Sequence, residues 1–295
     1  MAALLSRQRR RFLVGLLASV GAPVIHAAHP PVYKLQTEAS LSYANYLLEA
    51  AMQAAGFRAV LEKAPQASEL RSLHEAQSGR IHVALLPPTP ERLALYAAGK
   101  IRMIPIPIER GLLGWRIGFI HKDHQHKTEG IKSLEDLQAL TFGQGVDWLD
   151  TKIYRQSNIT TREIQAWRNG EFINQIRTGI IDVFPMGIDE SINYYLPRFQ
   201  QAHPEITLDQ HLLIRYPWFR FVWVTADSSG DELYEALQTG FDVIAQNGEF
   251  ESLWLKDRQP SKTSHWQDRV EIELNNPFYD QLLVPQRYQH LLLKP

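Results

Sequence analysis

Two apolar patterns take turns along most of the chain, one spaced for a helix face and one of short continuous runs. Leu47, Leu48, Ala51 and Met52 share one side of a helix predicted over 42–55, with Ser42 as its cap and Gly56 as its stop. Residues 57–61 read as a strand, 68–77 as a helix ended by Gly79, and 81–86 as a continuous apolar strand. Thr89 opens a further helix with Pro90 in its first turn, reaching Ala98 before Gly99. Residues 101–107 and 114–120 are extended, and the polar stretch 121–130 reads as a loop. A second series follows: helix 133–137, strand 141–143, helices 151–155 and 170–179, strand 181–186 and helix 190–202. Strands at 212–216 and 221–225, a long helix at 232–247 and a less regular tail after Pro260 complete it. Strands alternating with helices in two series predict an α/β protein of two lobes, each built on a mainly parallel sheet.

The first 28 residues stand outside this alternation. Arg7, Arg9, Arg10 and Arg11 precede an apolar run over 12–25, broken by Gly15, Gly21 and Pro23, and Ala27 and Ala28 follow. A cationic start, a short apolar run and small residues are the three parts of an export signal, with cleavage expected after Ala27 or Ala28. The run is shorter than the ~20 residues of a membrane-spanning helix. Arg9-Arg10-Arg11-Phe12-Leu13 resembles the twin-arginine export motif, so both that route and the general secretory route stay open.

Charge and cysteine content narrow the classes further. Without the four leader arginines, 27 basic residues face 32 acidic ones, a balance of −5. Such a chain lacks the basic excess that a nucleic-acid partner requires. Cysteine is absent, which excludes disulfides, thiolate metal sites, a Cys nucleophile and a lipid-anchored N-terminal Cys. A free periplasmic, monomeric protein is expected. Neither a His-Glu-x-x-His, a Gly-x-Ser-x-Gly nor a phosphate loop occurs, so neither catalysis nor a cofactor is expected. Gly143-Gln144-Gly145 opens like a dinucleotide fingerprint, but Trp148 stands where its third glycine belongs. His121, His124 and His126 are metal-ligating residue types, yet the flanking lysines disfavour a cation and no metal spacing is matched.

Several stretches, taken in order, carry a family resemblance. Ser78-Gly79-Arg80-Ile81-His82-Val83-Ala84-Leu85-Leu86 leads to Thr89-Pro90-Glu91-Arg92, and Ile131-Lys132-Ser133-Leu134-Glu135-Asp136-Leu137 leads to Phe142-Gly143-Gln144-Gly145. With Gly179-Ile180-Ile181-Asp182-Val183-Phe184, this succession resembles the periplasmic solute-binding proteins of amino-acid type, and Gly111-Leu112-Leu113-Gly114-Trp115-Arg116 with Asn275-Asn276-Pro277-Phe278 in the tail resembles a divergent branch of them without an agreed ligand. The resemblance implies the type II two-lobed fold, with two α/β lobes joined by two crossing strands. Residues 29–116 and 218–295, including the tail, would form lobe 1, and 117–217 an inserted lobe 2. It implies a small polar or anionic solute held between the lobes for a membrane permease, or alternatively reported to a membrane sensor protein. A hydrolase on the same scaffold is the remaining class.

By the same resemblance Arg92 would clamp a ligand carboxylate, with Thr89 adding a hydroxyl at a helix start that favours anions. Gly145, Asp147 and Trp148 would form the second lobe's ligand loop. Trp115 and Arg116 lie at the expected first crossing. The family's ammonium-binding aspartate falls on Gly187 here, which puts an α-amino acid in doubt; Asp189 or Glu190 would have to substitute.

Overall fold

The computed structural model describes residues 29–37, 39–65, 67, 69–258 and 265–294; the expected export signal at 1–28 lies outside the described residues. Strands β1 (Val32–Gln36), β2 (Val60–Lys63), β3 (Val83–Leu86) and β4 (Ile101–Ile104) belong to one sheet. Helices α1 (Ala44–Ala54), α2 (Glu69–Gln77) and α3 (Pro90–Ala97) connect them. The chain then leaves this sheet to form β5 (Trp115–His121), β6 (Thr141–Gly145), β7 (Thr160–Ile164), β8 (Phe184–Gly187) and β9 (Ile206–Leu208). The short helices α4 (His126–Glu129), α5 (Leu134–Leu137), α6 (Asp150–Gln156), α7 (Glu171–Arg177), α8 (Ile188–Glu190) and α9 (Leu196–Gln200) join those. It returns through β10 (Leu212–Arg215) to β11 (Phe221–Thr225), then α10 (Ser228–Gln246), α11 (Glu249–Asp257) and β12 (Val270–Glu273).

The two halves repeat one plan. In the first sheet the order is β2-β1-β3-β11-β4, with β1 parallel to β2 and β3 and β11 antiparallel to β3 and β4. In the second, β6 runs parallel to β7 and meets the β8 segment through a parallel Phe142–Val183 bridge, while β5 is antiparallel to β8 and β9. The order is therefore β7-β6-β8-β5-β9. Each sheet's antiparallel inner strand, β11 or β5, is the one the chain lays down directly after crossing. The fold is the two-lobed α/β type expected. The tail, expected with the first lobe, also reaches the second sheet, because β12 adds in parallel to β10.

Local chemistry explains the elements that the pattern predicted well. Thr89 caps α3 by accepting the Arg92 N–H at 3.2 Å, with Pro90 at the first helical position. Ser133 and Asp136 form a reciprocal capping box on α5. Trp223 is fully buried in β11 and its indole N–H donates to Leu86 O at 2.8 Å, so its donor is met inside the core. In the second lobe Phe172 stacks on Phe184 at 4.2 Å.

Elsewhere the structure departs from the pattern. Residues 121–130 are not a plain loop: a 3₁₀ turn at Lys122–His124 precedes α4. The helix predicted over 190–202 begins earlier, at Ile188, and contains a π segment at Ser191–Tyr195. Strands β7 and β12 each bury a single residue, so neither leaves the apolar signature on which strand prediction depends. Among the described residues no helix is long and apolar enough to cross a membrane.

Candidate functional site

The chain passes between the sheets at 105–114 and at 216–220, and beside these crossings lies a cleft lined from both halves. The first half contributes Pro87 and Thr89 from the loop before α3; the second contributes Asp147, Trp148, Asp150, Trp167 and Glu190. Arg116, Trp218 and Arg220 come from the crossings and the strands they feed. Its free volume is about 50 Å³, room for about one or two waters. The cleft is narrow in this conformation.

Two buried guanidinium groups organise it. Arg116 donates from Nε to the Tyr216 hydroxyl at 2.8 Å and from Nη2 to Asp150 Oδ1; the Tyr216 hydroxyl donates to the same Oδ1 at 2.5 Å. Burial works against the Arg116 charge, but Asp150, Tyr216, Glu190 and Tyr154 together outweigh it and hold the pKa above the ordinary arginine value. Burial likewise raises the Tyr154 and Tyr216 pKa values, so both hydroxyls remain protonated. Arg220 donates from Nη1 to Glu109 Oε2 at 2.9 Å and from Nη2 to Glu190 Oε1 at 3.3 Å. This triad joins both crossings to α8. All three side chains are 6% exposed or less.

A neighbouring ion pair closes the gap between the halves. Asp189 Oδ2 lies 3.4 Å from Arg258 Nη1, and Arg258, just beyond α11, also donates to Ser40 O at 2.7 Å and covers the Tyr43 ring at 4.3 Å. Asn193 donates to Asp189 Oδ1 at 2.8 Å. Desolvation nevertheless dominates and pushes the Asp189 pKa up to about 6. Because the folded value lies above the unfolded one, the native state binds the extra proton first, and this group contributes stability as pH falls from about 6 towards 4. Urea titrations at pH 4, 5 and 6 should show wild type gaining on Asp189→Asn by up to about 1.4 kcal/mol per pH unit. A constant difference across that range would refute the assignment.

The cleft collects some of the expected residues and not others. Thr89, Arg116, Asp147, Trp148 and Glu190 line it; Arg92, Trp115 and Gly145 do not. Arg92 sits in the first turn of α3 and its Nη1 donates back to Pro87 O at 2.6 Å. This is the direction a helical side chain takes, toward its own N-terminus. Trp115 packs edge-on against Trp266 at 5.0 Å and lies under Arg215 at 4.9 Å, facing a different cavity. Gly145 acts indirectly: a Cβ there would stand 2.5 Å from the Trp148 indole, so the glycine gives that ring its seat. Trp148 then packs on Trp167 at 4.7 Å, with Asp147 beside it at φ 65°. A Cβ on Gly187 would lie 3.2 Å from Glu190 Oε2, so the Glu190 carboxylate occupies the space beside Gly187. Asp189 is turned away to Arg258.

Glu109, Asp150, Trp167, Trp218 and Arg220 escaped the sequence reading. One signal was available: Arg220 interrupts the apolar run Trp218-Phe219-Arg220-Phe221-Val222, where a charge needs a buried partner. The histidines stay apart from the cleft. His121 Nδ1 accepts the Asp123 N–H at 3.2 Å, and His126 Nδ1 faces Asp123 O at 3.0 Å. Among the described residues no group of three or more acidic or imidazole side chains is arranged to hold a metal ion.

No protein-family profile and no curated protein sequence matches the chain. Solved structures do. An ancestral arginine-binding protein bound to arginine aligns with TM-score 0.55 and 16% identity over 77% of this chain and 98% of its own. An amino-acid ABC transporter substrate-binding protein of Streptococcus pneumoniae, bound to L-arginine, aligns with TM-score 0.53 and 17% identity over 77% and 94%. A Salmonella typhimurium periplasmic binding protein of high arginine specificity aligns with TM-score 0.54 and 11% identity over 78% and 100%. At such identities the likeness establishes a shared fold.

Proposed function

Since the chain has the two-lobed fold of the amino-acid-type periplasmic solute-binding proteins, we propose that it captures a small polar solute bearing a carboxylate between its lobes and delivers it to a membrane transporter. It works as an exported monomer, without catalysis. The observation that carries this reading is the cleft itself. Thr89 comes from one lobe, Asp147, Trp148 and Glu190 from the other, and Arg116 and Arg220 from the strands that join them. Ligand pockets favour such interfaces, and closure by rotation at the crossings converts binding into shape.

Arg116 and Arg220, rather than Arg92, take the carboxylate, because a guanidinium presents five donors and can hold a second acceptor beside its first. Asp147 and Glu190 face the basic or hydroxyl end of the solute, and Trp148 stacks on its body. Solved neighbours bound to arginine and glutamine support a solute of this size and polarity. The free volume is small, so a solute of this size needs the lobes to move apart to make room for it.

The test is a thermal-shift screen of the purified protein against amino acids, other carboxylates, sugars and oxyanions. A solute at a hundred times its dissociation constant should stabilise by about 2.7 kcal/mol. That shift should fall to near zero in Glu190→Gln and Arg116→Gln. A panel in which no solute shifts the melt, or a hit indifferent to both variants, rules the reading out.

A further inference from the structure

After its second crossing the chain passes between the lobes twice more. From α11, packed on α1 and α10 in the first lobe, it reaches β12, which adds to β10 in the second sheet. From β12 it returns to the first lobe, where a 3₁₀ segment at Gln286–Leu291 docks on α10. We propose that this tail is a strap that limits how far the lobes separate, by holding the second crossing in its present geometry. That role rests on the reading that the lobes move about the crossings.

The strap is anchored at both ends. On the second lobe β12 pairs with β10 from Leu212–Val270 to Arg215–Glu273, and the buried Arg269 donates from Nη1 to Asp209 O at 2.7 Å and to Leu212 O at 3.0 Å. On the first lobe Tyr288 is fully buried, and its hydroxyl donates to Asp242 Oδ1 of α10 at 2.6 Å. Arg110 Nε donates to Leu291 O at 2.7 Å and Leu293 N to Arg110 O at 3.0 Å, which ties the same end to the first crossing. When the lobes rotate, the two anchors move relative to each other.

Between the anchors the strap grips the second crossing. Leu274 N donates to Arg215 O at 2.7 Å, where β10 ends. Asn276 is buried and uses both ends of its amide: Nδ2 donates to Pro217 O at 2.7 Å, and Oδ1 accepts the Phe278 N–H at 2.8 Å. Tyr279 stacks on Trp218 at 5.5 Å and on Phe219 at 6.0 Å. A crossing strand turns one lobe against the other by changing backbone torsions at a few residues. A change at 217–219 swings the Pro217 carbonyl away from Asn276 and slides Trp218 off Tyr279, so both contacts oppose it. Past Tyr279 the strap is loosely held, with Leu282 82% exposed. That stretch leaves the lobes a limited range of movement and places the restraint at Asn276 and Tyr279.

The chain has no cysteine, so Glu62→Cys and Arg162→Cys, at exposed positions of β2 and β7, place one spin label on each lobe. Double electron–electron resonance then reads their separation in the purified protein. No solute is needed, so a failure here is distinct from a failure of the solute screen. Two variants are compared on this background, each checked for a native melt. Asn276→Asp keeps the bond to Phe278 N and loses the one to Pro217 O; Tyr279→Ala removes the stack. In both, the distance distribution should shift to longer separations and broaden, a population shift toward parted lobes. Leu282→Ala, on the loose stretch, should reproduce the wild-type distribution. Distributions that superimpose on wild type in both strap variants overturn the proposal, as does an equal shift in Leu282→Ala.

Discussion

Replacing Arg220 by Met should lower the stability of the protein by about 3–5 kcal/mol, measured by urea unfolding at pH 7. Arg220 is paired with Glu109 and Glu190, and all three side chains are almost wholly buried. Removing the cation leaves two buried carboxylates without its charge, and that desolvation cost exceeds what the methionine gains in apolar contact. The same logic fixes the sign of the pH response. Without Arg220 the carboxylates are protonated at higher pH in the folded than in the unfolded chain, so the variant gains on wild type as pH falls from 7 to 5. Solute binding should be lost even where the variant is folded. A deficit under about 1 kcal/mol, the range of a surface pair, would mean the triad does not hold the crossings together.

Gly240→Ala is expected to cost about 3 kcal/mol, at the upper end of overpacking penalties. In an exposed helix interior this substitution helps by about 1 kcal/mol, since alanine is the better helix former. Here the added methyl would stand 1.7 Å from Ala51 O and 2.4 Å from Ala51 C. Those are backbone atoms of α1, so no rotamer change can make room; α1 and α10 must separate along their packed length. Packing therefore outweighs propensity. Chemical denaturation measures it, and a midpoint equal to or above wild type would show that the helices absorb the methyl at no cost.

Periodicity located most elements because burial on one face leaves a visible imprint. The first turn of α3 was legible down to its cap, since Thr89 and Pro90 act through local backbone geometry. β11 was legible because all five of its residues are buried. β7, β9 and β12 were not: they are short or bury little, and their pairing depends on neighbours distant in sequence. The candidate site divides the same way. Thr89, Trp148 and Glu190 were named through the family resemblance, and each lines the cleft. Arg220 and Glu109 are 111 positions apart, and Arg116 and Asp150 are 34 apart; no local pattern relates them.

The sequence by itself determined the alternation of helices and strands, the two-series plan, the cap of α3 and the cluster of chemistry around 145–148. Each rests on interactions within a few residues or on one-sided burial, both written in residue order. Only the tertiary structure decided that Arg116 and Arg220 converge on the cleft, each with a buried carboxylate partner. It also decided that the tail ties both crossings together. Those outcomes depend on which buried charges meet once two sheets exchange their inner strands, and a buried charge takes its partner from whatever the fold brings within reach.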